Sequence, residues 1–372
     1  MGPRWTRLFF NNFFNLSAEF KPGMGQKGFV PMLALITFTA VLLSLNYANV
    51  PKGAVLSDAN VTFSHTNLIL FGGIYIITVA AFTYHLGRRG EYADVLYVMT
   101  VSLLAMWALN SKTQPIWLQE ELSNLIGRLG LHLNPSPEVV LYLYFYTILL
   151  LATSTFYIAP RHSRELGFLI FGMTFSMPLF REFMNSTELV GIAAFSITLA
   201  LSSSFFSYSG PLRAGLEGVL LAISTVIVFS VRPIAVLIPV ALILTFPRKK
   251  RNFLYLALAP VGFLMVQKNG LWLRPKFVPV SLEDAIIQLL LPTLLFTYLL
   301  IGKSKAIETG LRNTRGPTPF LLFLTAVYAI GFVYDRTIFP YLLLLISSVS
   351  ARIIYQVRTL EKGTTGARAG VY

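Results

Sequence analysis

Arg232 and Pro233 interrupt the oiliest stretch of the chain, and that interruption constrains the fold more than any other feature. Val219 to Val231 is apolar or small, and so is Ile234 to Phe246. A guanidinium is costly in the middle of such a run if the run crosses hydrocarbon. Proline, moreover, lacks an amide N–H and pushes the residue before it out of the helical region. The stretch from Ser209 to Arg251 therefore reads as a hairpin of two membrane helices with its turn at Arg232. Arg213 precedes the hairpin, and Arg248, Lys249, Lys250 and Arg251 follow it. Because cytoplasmic loops carry an excess of Lys and Arg, both open ends are expected in the cytoplasm and Arg232 at the opposite surface.

Composition extends this reading to the whole chain. Of 372 residues 55% are hydrophobic and only 12% charged, against roughly 25% charged in an average soluble domain. Successive apolar segments run over 28–47, 67–86, 92–109, 138–158, 166–180, 189–208, 216–231, 234–246, 253–267, 285–302, 318–334 and 338–357. At about 15 to 20 residues most are close to the length that a hydrocarbon core of about 30 Å requires, and three are short enough to be tilted, kinked or merged into re-entrant pairs. The expected fold is an all-α, polytopic integral membrane protein with about twelve transmembrane helices, in the cell membrane, surrounded by its lipids. Residues 28–357 form the membrane domain and 358–372 a cytoplasmic tail. Residues 1–27, with Phe9, Phe10, Phe13 and Phe14 among arginines and polar residues, fit an amphipathic helix in the cytoplasmic headgroup layer.

Charge placement tests the register of these segments. With the amino terminus inside, 21 of the 30 Lys and Arg fall in cytoplasmic loops, and 9 of the 16 acidic residues fall outside. Both chain termini are then cytoplasmic. The net charge of +14 would point to nucleic acid in a soluble protein; distributed in this way it is a topology signal, and no nucleic-acid partner is expected. The absence of cysteine and the scatter of the four histidines leave no basis for a disulfide, a metal site or a cofactor.

The external loops hold the candidate functional residues. In the longest, the apolar residues Leu118, Leu122, Leu125, Ile126 and Leu129 share one helical face, which predicts a surface helix over 117–129. Lys268, Arg274 and Lys276, with Trp272 among them, lie where cations are otherwise scarce; they read as a site for an anionic headgroup such as a lipid phosphate, or as interfacial anchors. Arg232 either faces a cavity where an anion meets it or snorkels to the headgroups. In the first external loop Asp58 is the sole acid, so a base there is Asp58 or His65. Glu182 beside Arg181 and Asp335 beside Arg336 read as local surface ion pairs, which contribute little.

The run ISTVIVFSVRPIAVLIPVALIL, followed by PRKKR, resembles a membrane segment of polytopic glycosyltransferases of the GT-C superfamily, in which a helix ends in Arg or Lys before Pro and a second helix returns. The resemblance covers this hairpin region alone. It implies sugar transfer from a polyprenyl-phosphate donor, with inversion at the anomeric carbon, to a lipid-linked or protein acceptor on the extracytoplasmic side. Asp58 would take the catalytic role, and Arg232, Lys268, Arg274, Lys276 and His65 would bind the substrate. That superfamily carries an acidic motif and surface helices in a long first external loop. Here the loop is short, offers Asp58 in LSDANVTFSHT, and the surface helix lies in the second external loop. The other readings are a lipid-linked glycan polymerase or ligase similar to the O-antigen family, a flippase or transporter, or a structural subunit of a membrane complex.

Overall fold

A computed structural model describes residues 116–131, 135–159, 186–205, 211–245, 252–273 and 318–369, with isolated residues near 166–171 and 281–290. Among the described residues all regular structure is helical. The segments 28–47, 67–86 and 92–109 and the amphipathic amino terminus lie outside these residues, as do nearly all of 166–180 and 285–302. The chain divides into two compact units, the boundary falling between Thr153 and Ser154.

In the first unit, helix α1 (Ile116–Arg128) is the surface helix expected from the spacing of Leu118, Leu122, Leu125 and Ile126. Trp117 and Leu118 are buried, while Asn124 and Gly127 on the other face are exposed. Leu129, counted with the apolar face, instead lies just past the helix end and is exposed. Helix α2 (Pro137–Ile158) starts at a proline, whose missing N–H is not needed in a first turn, and crosses the unit boundary.

The second unit holds the hairpins. Helix α3 (Glu188–Phe205) and helix α4 (Pro211–Val231) run antiparallel. Thr198 Oγ1 and Ser224 Oγ lie within hydrogen-bond distance, 2.9 Å, at mid-length. After α4 the chain breaks at Arg232, makes a 3-10 turn over Pro233–Val236 and resumes as α5 (Leu237–Thr245). The break lies at the Arg-Pro pair, but the returning α-helix begins at Leu237 rather than Ile234, because the proline leads a tighter turn first. Helix α6 (Asn252–Asn269) lies parallel to α4, with Tyr255 Oη 3.0 Å from Thr225 Oγ1 and the Phe263 ring tilted against that of Phe229, centroids 4.4 Å apart. A Cβ on Gly262 would come within 2.4 Å of Val226 Cγ2, so the absence of a side chain there sets how near α6 approaches α4. Helix α7 (Thr318–Tyr334) leads through a 3-10 turn at Arg336–Ile338 into α8 (Phe339–Ala369). The tail set off from residue 358 is helical as far as Ala369 and continuous with α8.

Among the described residues two helical stretches, Val139–Phe156 and Arg336–Tyr355, are long and apolar enough to cross a membrane, and Glu188–Ser202, Glu217–Val231, Pro233–Thr245 and Thr318–Tyr334 are shorter apolar helices. Their interior is strewn with hydroxyls. Ser154 bonds Ser196 at 2.8 Å, and Thr198, Ser202, Ser347 and Ser348 return their hydroxyls to the carbonyl one turn earlier. Each buried hydroxyl so engaged avoids the roughly 1–3 kcal/mol cost of an unmet donor.

Candidate functional site

The helix breaks at Arg232 and Asp335 have the same backbone form. Arg232 sits at φ −135°, ψ 111° and Asp335 at φ −135°, ψ 99°, both extended. In each, the N–H still bonds one turn back, Arg232 to Val228 O at 2.7 Å and Asp335 to Gly331 O at 2.8 Å. Each carbonyl then accepts from three residues ahead, from Ala235 N at 3.1 Å and from Ile338 N at 3.2 Å. The causes differ. At the first break Pro233 holds its neighbour out of the helical region. At the second, the Asp335 side chain accepts the Thr337 N–H at 3.0 Å, and the Thr337 hydroxyl as well, an Asx turn that competes with helix continuation.

These two breaks face each other. Arg232 Nη2 donates to Glu188 Oε1, and Nη1 lies 3.6 Å from Asp335 Oδ2. Tyr341, on the first turn of α8, donates its hydroxyl to Glu188 Oε2 at 2.9 Å. The Glu188 side chain is only 1% exposed and that of Arg232 10%, whereas Asp335 is 44% exposed. The cluster therefore has a dry inner half, Glu188 with Arg232 and Tyr341, and a wet outer edge at Asp335. Phe195 and Tyr328 floor it, their rings 5.3 Å and 6.3 Å from that of Tyr341.

Local sequence explains why Glu188 starts a helix here. Ser186 Oγ accepts the Glu188 N–H at 3.3 Å, and the Leu189 and Gly191 amides bond Ser186 O and Thr187 O. A carboxylate in the first turn also suits the positive end of the helix dipole. One turn on, a Cβ at Gly191 would lie 2.2 Å from the Tyr341 hydroxyl and 3.0 Å from Val231 Cγ1. A bare backbone at this position lets α4 and α8 close over Glu188.

The start of the segment after α6, as far as Leu273, belongs to the same end of the bundle. Gly270, at φ +58°, takes the left-handed conformation that ends the helix, with Leu271 N–H bonded to Val266 O at 3.0 Å. A side chain would be strained there. The chain then turns back, so that Leu273 N–H bonds Ser230 O at 3.0 Å and Trp272 packs on Phe229 at 5.0 Å. Lys268 is exposed on the last turn of α6.

Of the residues expected at a site, Arg232 and Lys268 are therefore placed at one end of the bundle, while Asp58, His65, Arg274 and Lys276 lie outside the described residues. Arg232 faces protein, held by carboxylates. Asp335, expected to pair with its neighbour Arg336, reaches across to Arg232 instead, because the extended backbone at the break carries its side chain over the turn. Glu188 and Tyr341 were not singled out from sequence. The available signal was the position of Glu188, an acid opening an apolar run on the side where Arg232 and Asp335 also fall. Among the described residues no group of His, Cys, Asp or Glu is placed to hold a metal ion. Comparison of the chain with protein-family models, with curated proteins and with solved structures finds no match.

Proposed function

We propose that this chain is a multi-pass membrane protein of about twelve spans, both termini cytoplasmic, that transfers a sugar from a polyprenyl-phosphate donor at its extracytoplasmic face. The observation that carries the reading is which helix ends meet. The start of α3, the ends of α4 and α7 and the start of α8 gather at Arg232, and the segment after α6 is tied to the last turn of α4. These are the ends that the positive-inside register assigns to the outer surface. At the other end, Arg352 Nη2 bonds Ile158 O at 3.2 Å, two positions that the register assigns to the cytoplasmic side.

The polarity of the bundle supports the membrane. Serines and threonines bond to one another inside, while Leu244, Leu264 and Val333 are 65–77% exposed on its outside. A lipid-facing bundle has this arrangement, since lipid solvates Leu and Val and leaves hydroxyls to find partners between helices. In this reading Arg232 with its carboxylates fixes the outer end of the bundle. Lys268, Arg274 and Lys276 neutralise the departing lipid phosphate, and Asp58 takes the proton of the acceptor hydroxyl as it attacks the anomeric carbon.

Two experiments test this. For topology, tags at Met1 and Tyr372 are expected on the cytoplasmic side. Single cysteines replacing Asp58, Ser123 and Trp272 should react with an impermeant reagent from outside; reaction of one at Lys250 would overturn the register. For activity, membranes supplied with polyprenyl-phosphate sugar should transfer that sugar, and Asp58→Asn should abolish transfer while leaving donor binding largely intact, because an amide keeps the size of the carboxylate but accepts no proton. Full transfer by Asp58→Asn removes the assigned base. Inert monosaccharide donors with joining of lipid-linked oligosaccharides would replace the transferase reading with the polymerase one.

A further inference from the structure

Two consecutive helices of the bundle, α5 and α6, are short for a membrane. After the break at Arg232 come a 3-10 turn of 4 residues and the 9 residues of α5, so Thr245 lies no more than about 22 Å below the break. Helix α4, the other limb of the same hairpin, has 21 residues and runs for about 31 Å. The stop after α5 is written in the sequence. Pro247 has no N–H and disfavours a helical residue before it, and Arg248, Lys249, Lys250 and Arg251 follow at once. Helix α6 repeats the dimension. Its apolar stretch, 253–266, lies between Asn252, which those cations precede, and Gln267, Lys268 and Asn269. From 253 to 266 the rise is about 21 Å. The outer end of α6 is held near Arg232, since just past the helix Leu273 N–H bonds Ser230 O.

Both helices turn apolar side chains outward. Val240, Ile243 and Leu244 on α5 and Val261, Leu264 and Met265 on α6 are 42–66% exposed. A hydrocarbon core is about 30 Å thick. With Arg232 and Lys268 at the outer surface, the inner ends of α5 and α6 therefore stop about 8–9 Å short of the cytoplasmic boundary. Tilt only shortens their reach. Snorkelling carries the charge of a cation the rest of the way, but it does not carry the backbone. The last four carbonyls of α5 and the first four amides of α6 have no partner within their own helices, and in hydrocarbon such groups must be met. Water meets both kinds.

We propose that the flank carrying α5 and α6 thins the bilayer from its cytoplasmic side, drawing water and headgroups in to the level of Thr245 and Asn252. The occupant of this notch is the phospholipid of the inner leaflet. Its tails meet the apolar side chains over a reduced height, and its headgroups meet the cations at 248–251. A headgroup at this flank is separated from the outer surface by about 21 Å of hydrocarbon in place of about 30 Å. The inference rests on the membrane register proposed above and not on the transferase chemistry.

The chain has no cysteine, so single replacements are read without background. The test uses the full chain in inside-out and right-side-out membrane vesicles with a charged, impermeant thiol reagent, which attacks a thiolate that water reaches. Lys250→Cys is the reference for cytoplasmic exposure; Val240→Cys and Val261→Cys, at mid-height, are the references for hydrocarbon. Ile243→Cys and Leu244→Cys should react from the cytoplasmic side within about tenfold of Lys250→Cys, and on the order of a hundredfold faster than Val240→Cys. These four test positions point away from the packed interior, so the replacements leave the bundle intact. The proposal is overturned if Ile243→Cys and Leu244→Cys are as inert as Val240→Cys while Lys250→Cys reacts from the cytoplasm, since hydrocarbon then covers the end of α5 and only the cations reach the surface. Equal reaction of Val240→Cys also overturns it, because water then fills a cavity through mid-height and not a notch. Reaction of Lys250→Cys from the outside alone overturns the register itself, and this inference with it.

Discussion

Replacing Arg232 by Ala is expected to destabilise the chain by about 3–5 kcal/mol, the range found when one partner of a buried ion pair is removed and the other is left behind. The cost arises less from the lost attraction than from Glu188, which is sealed between α3, α4 and α8 and would keep only the Tyr341 hydroxyl. The design of the control follows from this. Removing both charges together, as Arg232→Met with Glu188→Leu, leaves no orphaned ion and should recover most of the loss, since apolar residues often substitute for buried pairs without penalty. The measurement is an unfolding titration in mixed micelles of Arg232→Ala, Arg232→Met and the double variant Arg232→Met with Glu188→Leu. A single-variant loss below about 1 kcal/mol would mean that the pair behaves as a solvated surface contact, which its burial does not allow.

The second large effect is expected at Gly191. Adding one methyl group places a carbon 2.2 Å from the Tyr341 hydroxyl and 3.0 Å from Val231 Cγ1, and neither neighbour is a free chain end. Tyr341 is fully buried and Val231 nearly so. Gly191→Ala should therefore cost about 1–3 kcal/mol by overpacking, and it should break the bond from Tyr341 to Glu188. Tyr341→Phe should cost about 1–3 kcal/mol by itself, because one oxygen of Glu188 loses its donor. The two changes should not add. Without the hydroxyl the methyl group meets less, so the double variant should be more stable than the sum predicts, and a double-mutant cycle measures that coupling. Strict additivity would show that the hydroxyl is not what the methyl group meets.

The helix breaks of the second unit and the surface helix of the first were legible because they rest on local signals. Pro233 stops a helix wherever it stands, and the spacing of Leu118, Leu122, Leu125 and Ile126 dictates one face whatever lies beneath it. The register of charges then says which turns share a side. It does not say which turns touch. Glu188, Arg232 and Asp335 could have been placed on a common surface from sequence, but their meeting depends on how α3, α4, α7 and α8 pack. That packing is set by close approaches at Gly191 and Gly331, the latter 2.7 Å from Ile234 Cδ1 by the position of a missing Cβ. Glycines of this kind look in sequence like any other glycine in an apolar run. The 3-10 turns were hidden for a related reason: Ile234, Ala235 and Val236 are as apolar as the helix that follows, so hydropathy draws no line between them.

The ion pair also sets an order of events during synthesis. Glu188 and Arg232 are 44 residues apart in the chain, so at about 5–20 residues per second the acid leaves the ribosome several seconds before its cation. Tyr341, 153 residues beyond Glu188, follows later still. For that interval Glu188 has neither of the side chains that hold it in the finished protein. On the proposed membrane reading, its place at the very start of α3 would let it wait in the headgroup layer, in water, rather than in hydrocarbon. The Arg232 hairpin would then bring the counter-charge to a residue already positioned. On that reading a carboxylate two turns deeper in α3 would have to cross the membrane alone, and the same pair at that depth would be far harder to build, however stable it proved once made.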